Sequence, residues 1–131
     1  MEHTKAIDYI LHRLQHELPG NLRYHSLEHT LGVLHSAEYL AKKQGLREDE
    51  INILLTAAAY HDCGFTISYK NHEQLGCEIA KEALAKFGYT SEQIATVQGL
   101  IMSTKVPQTP VTKVEEVLCD ADLDYLGSDN Y

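Results

Sequence analysis

The chain has 131 residues, of which 44% are hydrophobic and 23% are charged, so its size and composition fit one folded domain and exclude a disordered or fibrous chain. Its 19 acidic and 11 basic residues give a formal net charge of −8, which disfavours a nucleic-acid duplex as a partner. The longest apolar stretch, residues 53–60, is much shorter than the ~20 residues that cross a bilayer, and the N-terminus lacks the apolar core of a signal peptide. We therefore expect a cytoplasmic protein without a membrane partner.

Apolar residues recur at helical spacing along almost the whole chain, which predicts an all-α fold: a single bundle of about six helices over residues 1–131. Pro19 and Gly20 end the first predicted helix, and residues 21–25 are expected to connect it to the second. Ser26 is the predicted N-cap of the second helix, which ends around Gly45. His29 then falls in the first turn of this helix.

The third predicted helix begins near Glu48 and carries a stripe of apolar and small residues. His61 and Asp62 occupy the next positions of that stripe, and Gly64 is expected to end the helix. A polar pair therefore follows directly on an apolar face, in a place where hydrophobic residues are the rule.

Asn71 is the predicted cap of a fourth helix, which has His72 on its inward face and ends at Gly88. Ser91 opens a fifth helix, and the segment VPQTP at 106–110 breaks the helical pattern. These assignments place a third histidine position on an inward face.

The sixth predicted helix begins with a capping box formed by Thr112 and Glu115. Asp122 lies on its inward face. An unpaired carboxylate that leaves water costs several kcal/mol, so a buried aspartate needs a hydrogen-bond network, a cation or a metal.

Four segments thus place histidine or aspartate on inward faces: His29, His61 with Asp62, His72, and Asp122. Each residue taken alone is explained by a hydrogen-bonded position in the core or at a helix end. Their joint pattern favours one shared divalent ion. Imidazole and carboxylate ligands together suit Mn, Fe, Co, Ni or Zn, with Mg left open, and two of each leave coordination positions for water or substrate oxygen.

Three strings carry a resemblance to a known family: YHSLEHTLGVL at 24–34, AAAYHDCGF at 57–65 and LCDADLDYLG at 118–127. Together they resemble the H…HD…D signature of the HD-domain metal-dependent phosphohydrolase superfamily, over nearly the whole chain. The resemblance implies an HD-type helical bundle. It also implies four metal ligands, His29, His61, Asp62 and Asp122, with Asp120 as the alternative to the last.

Two further histidines, His25 and His72, resemble elements found in some members of the superfamily. His25 and His29 resemble the YHxxxH element of cyclic-nucleotide phosphodiesterases, which implies that His25 is a general acid. His72 in NHEQLG is similar to a histidine that holds a second metal or the substrate phosphate in dinuclear members. Where those relatives carry one more histidine, this chain has Ser103 and Thr104. We therefore expect one tight metal site and at most a weak second one.

The resemblance implies a metal-dependent phosphohydrolase that acts on a small phosphorylated metabolite or nucleotide, a phosphomonoester or phosphodiester. In this hypothesis Asp62 orients the attacking water, His25 or His72 protonates the leaving oxygen, and Lys105 neutralises a phosphate oxygen. A solvated surface lysine is the simpler reading of Lys105. Two other functions stay open: a di-iron HD-type oxygenase, and a regulatory HD module that binds a nucleotide without turnover.

Sequences that resemble this one continue with further helices after ADLDYLG, so we expect a domain shortened at its C-terminus relative to them. A pocket without that wall exposes apolar surface, which a second copy of the chain would cover. A homodimer is therefore left open.

Overall fold

The structure is a computed structural model that describes residues 1–18, 20–68 and 70–126, and it describes no side chains at 21–26 and 124–126. The described residues form six α-helices and one 3₁₀ turn, without any β-strand, which confirms the predicted all-α fold. The elements are α1 (His3–Glu17), α2 (Gly20–Lys43), α3 (Glu48–Tyr60), the 3₁₀ turn (Cys63–Thr66), α4 (His72–Lys86), α5 (Ser91–Ser103) and α6 (Lys113–Leu126).

Helix α3 is the central helix of the bundle and packs against each of the other five. Its last five residues, 56–60, are completely buried and include three alanines at 57–59. Small side chains allow the surrounding helices to approach closely, and the hydroxyl of Tyr60 donates a 2.8 Å hydrogen bond to the backbone carbonyl of Ala6 in α1. The residues that follow α3 therefore emerge in the middle of the domain, where several helices converge.

The predicted connector at 21–25 is wrong, because α2 already begins at Gly20. Residues 21–25 contain neither glycine nor proline, and extending an existing helix costs far less than starting a new one. The N-cap preference of Ser26, typically worth ~1 kcal/mol, does not outweigh that cooperativity. As a consequence His29 lies inside α2 and not in its first turn.

The sequence predicted that Gly64 ends α3, and this prediction is wrong. The helix ends at Tyr60, and Gly64 lies in the 3₁₀ turn. A Cβ atom on Gly64 would stand 1.9 Å from the carbonyl oxygen of His72, so only glycine lets the turn approach the start of α4 this closely. Gly64 therefore allows His61 and Asp62 to lie close to His72.

The predicted helix starts are otherwise well placed. The capping box of α6 is confirmed: the amide of Glu115 donates to Thr112 Oγ1 at 3.1 Å, and the amide of Thr112 donates to Glu115 Oε1 at 3.3 Å. Asn71 precedes α4 as predicted, but its side chain makes no capping hydrogen bond. Its φ of 58° is left-handed, whereas a side-chain cap needs extended backbone. Within the described ranges, no helix combines the length and hydropathy of a membrane span.

Candidate metal centre

Three helices and one turn deliver the predicted ligands to a single place. His29 projects from α2, Asp122 from α6, and these two helices pack extensively along each other. His61 is the C-cap of α3, and Asp62 follows it at the entry to the 3₁₀ turn. His72 is the first residue of α4.

The tightest group consists of His29, His61 and Asp122. One donor atom from each lies within 4.8 Å of the other two, and all three residues are buried, with 9%, 1% and 8% exposure. A 2.8 Å hydrogen bond joins His29 Nε2 to Asp122 Oδ1, and His61 Nε2 lies 3.5 Å from the same oxygen. The Nε2 atoms of His29 and His61 therefore both lie near Asp122 Oδ1, and the three atoms are close enough to one another to bind a common cation.

Asp62 extends this group on the other side. Its Oδ2 atom lies 3.3 Å from His61 Nε2 and 3.7 Å from His29 Nε2, while Oδ1 lies 3.6 Å from His72 Nε2. The two oxygens of one carboxylate thus face two different sets of imidazoles. Asp62 connects the buried trio with His72.

Two neighbours orient His72. Its ring stacks on Phe65 with centroids 4.0 Å apart and an interplanar angle of 14°. Its Nε2 atom lies 3.1 Å from Glu73 Oε2 as well as near Asp62. Sequence reasoning missed Glu73, whose only signal was its place directly after His72. His72, Glu73 and the outer oxygen of Asp62 form a second group of donors beside the first.

The ring of His61 is oriented as a metal ligand requires. Its Nδ1–H donates a 2.6 Å hydrogen bond to the carbonyl of Ala58, so Nε2 is the atom that faces the carboxylates. Nε2 is buried and makes no hydrogen bond to any described residue, although two carboxylate oxygens are near. A cation at this point would satisfy a polar atom that is otherwise left without a bond, so the residues present fit a divalent ion.

The charges of the cluster are strongly coupled. Burial disfavours the charged form of His61, but the negative charges of Asp62 and Asp122 outweigh burial and raise the pKa of His61 to about 9. Burial also acts against ionised Asp122, yet its hydrogen bond with His29 and the charge of His61 hold the pKa of Asp122 well below its usual range. The carboxylate of Asp122 is therefore favoured in its charged form, beside a positive charge that either a proton on His61 or a metal ion can supply.

Comparison with known proteins assigns the family. A family model described as HD domain matches residues 26–124, which include all four predicted ligands. The chain belongs to the HD domain family. The resemblance read from the sequence is thereby confirmed. HD domains are in general metal-dependent hydrolases that bind divalent ions, and the buried trio described above fits that property.

A curated relative of this HD domain is an uncharacterized protein of Clostridium beijerinckii, 30% identical over 102 residues. The matched part is 75% of this chain and 64% of the relative, so the chain spans a little under two thirds of the relative's length. No solved structure matches the chain to a significant degree.

The remaining predicted residues of the HD domain differ in their placement. Asp120, the alternative ligand, is exposed on α6, whereas Asp122 is buried in the cluster. Lys105 is exposed after α5 and makes no ion pair within the described part of the chain. The side chain of His25 lies outside the described residues. Ser103 is buried and donates a 2.6 Å hydrogen bond to the carbonyl of Leu100, so its hydroxyl is engaged in its own helix.

Sequence reasoning also missed Gln108, which lies between α5 and α6. Its Nε2 donates a 3.0 Å hydrogen bond to Asp122 Oδ2. No helical periodicity covers this position, because it is flanked by Pro107 and Pro110. Only the return of this segment towards α6 places its amide against the carboxylate of Asp122.

Proposed function

We propose that this HD domain is a metal-dependent phosphohydrolase that acts on a small phosphorylated metabolite or nucleotide. The observation that carries the proposal is the convergence of His29, His61 and Asp122, with donor atoms within 4.8 Å of one another and Asp62 beside them. Three such buried groups and one half-buried carboxylate are costly to bring together unless a cation neutralises the carboxylates.

His29, His61, Asp62 and Asp122 would hold the ion. A divalent ion in such a site supplies Lewis acidity: it polarises a phosphoryl oxygen and lowers the pKa of a bound water towards ~7. The family supports this chemistry, since HD domains are in general hydrolases that use divalent metals.

Asp62 is suited to orient the attacking water because its second oxygen is turned away from the buried trio, towards His72. His72 is the described candidate for the proton donor to the leaving oxygen, since its ring is partly exposed and held by Phe65 and Glu73. Such a donor typically contributes about 10²–10⁴-fold to the rate. His25 stays the second candidate on the resemblance alone, and Lys105 stays a proposed phosphate contact.

The test compares two aspartates of the same helix. The purified chain is stripped of metal, loaded with Mn²⁺, Fe²⁺, Co²⁺, Ni²⁺, Zn²⁺ or Mg²⁺, and assayed against a panel of phosphomonoesters and phosphodiesters. Asp122→Asn should lose metal binding and phosphate release together, whereas Asp120→Asn should keep both because Asp120 is exposed. A chain that binds none of these ions, or an Asp122→Asn variant with full activity, contradicts the proposal. A nucleotide that binds and stays intact would instead favour the regulatory module.

A second candidate, an oxygenase with two irons, is favoured by one observation. His72 Nε2 lies 3.1 Å from Glu73 Oε2 and 3.6 Å from Asp62 Oδ1, so three further donors adjoin the first group. Ser103 argues against it, because the hydroxyl is bonded to its own helix at the position where dinuclear relatives are expected to supply a histidine. Two irons per chain and oxygen consumption would select the oxygenase, and one ion with phosphate release the hydrolase.

A further inference from the structure

The segment between α5 and α6 brings one amide side chain to the proposed metal centre. Gln108 is half-buried, and its Nε2 donates to Asp122 Oδ2 at 3.0 Å and, more weakly, to the carbonyl of Thr104 at 3.4 Å. Asp122 is therefore held at both oxygens: Oδ1 by His29 at 2.8 Å and Oδ2 by Gln108.

The orientation of this amide follows from its surroundings. Both groups near the nitrogen, a carboxylate and a carbonyl, only accept hydrogen bonds, so the NH₂ end of Gln108 must face them. The opposite end, Oε1, is buried and has no hydrogen-bond partner among the described residues. The amide is therefore oriented by its contacts with Asp122 and Thr104, and not by any contact of Oε1 with the described residues.

We propose that Gln108 is a positioning residue for Asp122. By binding Oδ2 it prevents the carboxylate from turning and presents Oδ1 alone beside His29 and His61, so that Asp122 acts as a ligand through one oxygen. The neutral amide achieves this without adding charge, whereas a lysine in its place would compete with the metal for the carboxylate. This inference rests on the metal centre of the proposed function.

The test is the affinity for Mn²⁺ alone, measured by titration calorimetry on the full chain at 25 °C, together with metal-free thermal unfolding. Gln108→Met keeps the unbranched shape and removes the donor; Gln108→Ala is the second variant in case the first folds poorly. Gln98→Met is the matched control, since Gln98 is also part-buried and donates to a backbone carbonyl, that of Cys77, at 3.1 Å without contacting a proposed ligand.

The Gln108 variants should bind Mn²⁺ about 10–100-fold more weakly than wild type, the usual loss when a hydrogen bond behind a metal ligand is removed, while Gln98→Met binds like wild type. A structural role would lower the metal-free unfolding temperature and leave the Mn²⁺ affinity of the folded variants unchanged, which overturns the inference. If both Gln108 variants and the control weaken binding equally, the inference also fails. A wild-type chain without affinity for Mn²⁺ or any other divalent ion would overturn the proposed function as well.

Discussion

Replacing Gly64 by alanine should affect both the stability of the chain and the geometry of its candidate metal centre. A Cβ atom there would lie 1.9 Å from the carbonyl oxygen, 2.7 Å from the carbonyl carbon and 2.8 Å from the Cα of His72. Carbon atoms in contact prefer ~3.5–4.0 Å, and the three nearest atoms all belong to the backbone of His72, so rotation of a side chain cannot relieve these contacts. In Gly64→Ala the 3₁₀ turn and the start of α4 must therefore separate by more than ~1 Å.

Overpacking of this kind typically costs ~1–3 kcal/mol, which corresponds to a fall of ~3–12 °C in the unfolding temperature of a domain of this size. The same separation lengthens the 3.6 Å distance between His72 Nε2 and Asp62 Oδ1. A misplacement of ~1 Å can cost ~10²-fold in rate. The rate of phosphate release should therefore fall strongly even at temperatures at which the variant is still folded. Circular dichroism melting of the metal-free chain and turnover at saturating metal measure the two effects.

Gly76→Ala is the matched control. Its nearest contact would be the carbonyl oxygen of Tyr60 at 3.4 Å, an ordinary distance, and alanine is favoured over glycine inside a helix by ~1 kcal/mol. This variant should be as stable as wild type or more so. A Gly64→Ala chain that melts and turns over like Gly76→Ala would refute the argument that the turn and α4 need glycine at 64.

Three more outcomes follow from the site and the caps. The metal-free chain should be most stable between about pH 4 and 6.5. The raised pKa of His61 contributes stability that is lost as the pH rises through about 9, and the lowered pKa of Asp122 contributes stability that is lost in acid. Equal urea midpoints at about pH 5.5 and 9.5 would contradict this prediction. Saturation with metal at ~100 times its Kd should stabilise the fold by ~2.7 kcal/mol, and a chelator should reverse the rise in melting temperature; no change on chelation speaks against a bound ion. Thr90→Ala should lower the free energy of unfolding by ~0.5–2 kcal/mol and leave turnover unchanged, because Thr90 Oγ1 accepts a 3.1 Å hydrogen bond from the amide of Gln93 at the start of α5. Thr96→Ala is the control, since Thr96 is exposed and its hydroxyl bonds within its own helix.

Local chemistry made most of the helices predictable. Gly45, with its φ of +73°, ends α2 as expected, and the reciprocal hydrogen bonds of Thr112 and Glu115 start α6. These signals act between residues a few positions apart, so the sequence alone contains them. The start of α2 was missed because the N-cap preference of Ser26 is a local signal too, and the cooperativity of the helix outweighed it.

For the candidate site too, some features could be predicted from the sequence and others could not. Histidine and aspartate on inward faces, together with the HD strings, were enough to name His29, His61, Asp62 and Asp122 as partners, since burying such groups separately is too costly. The sequence thus determined the helical class and the family, and it named the four side chains that the structure brings together. Only the tertiary structure decided that Gly64 brings the turn against His72, that Glu73 joins it, and that Gln108 returns to hold Asp122. Those contacts join residues of different elements or depend on the direction of a single side chain, and neither periodicity nor composition encodes a distance across the fold.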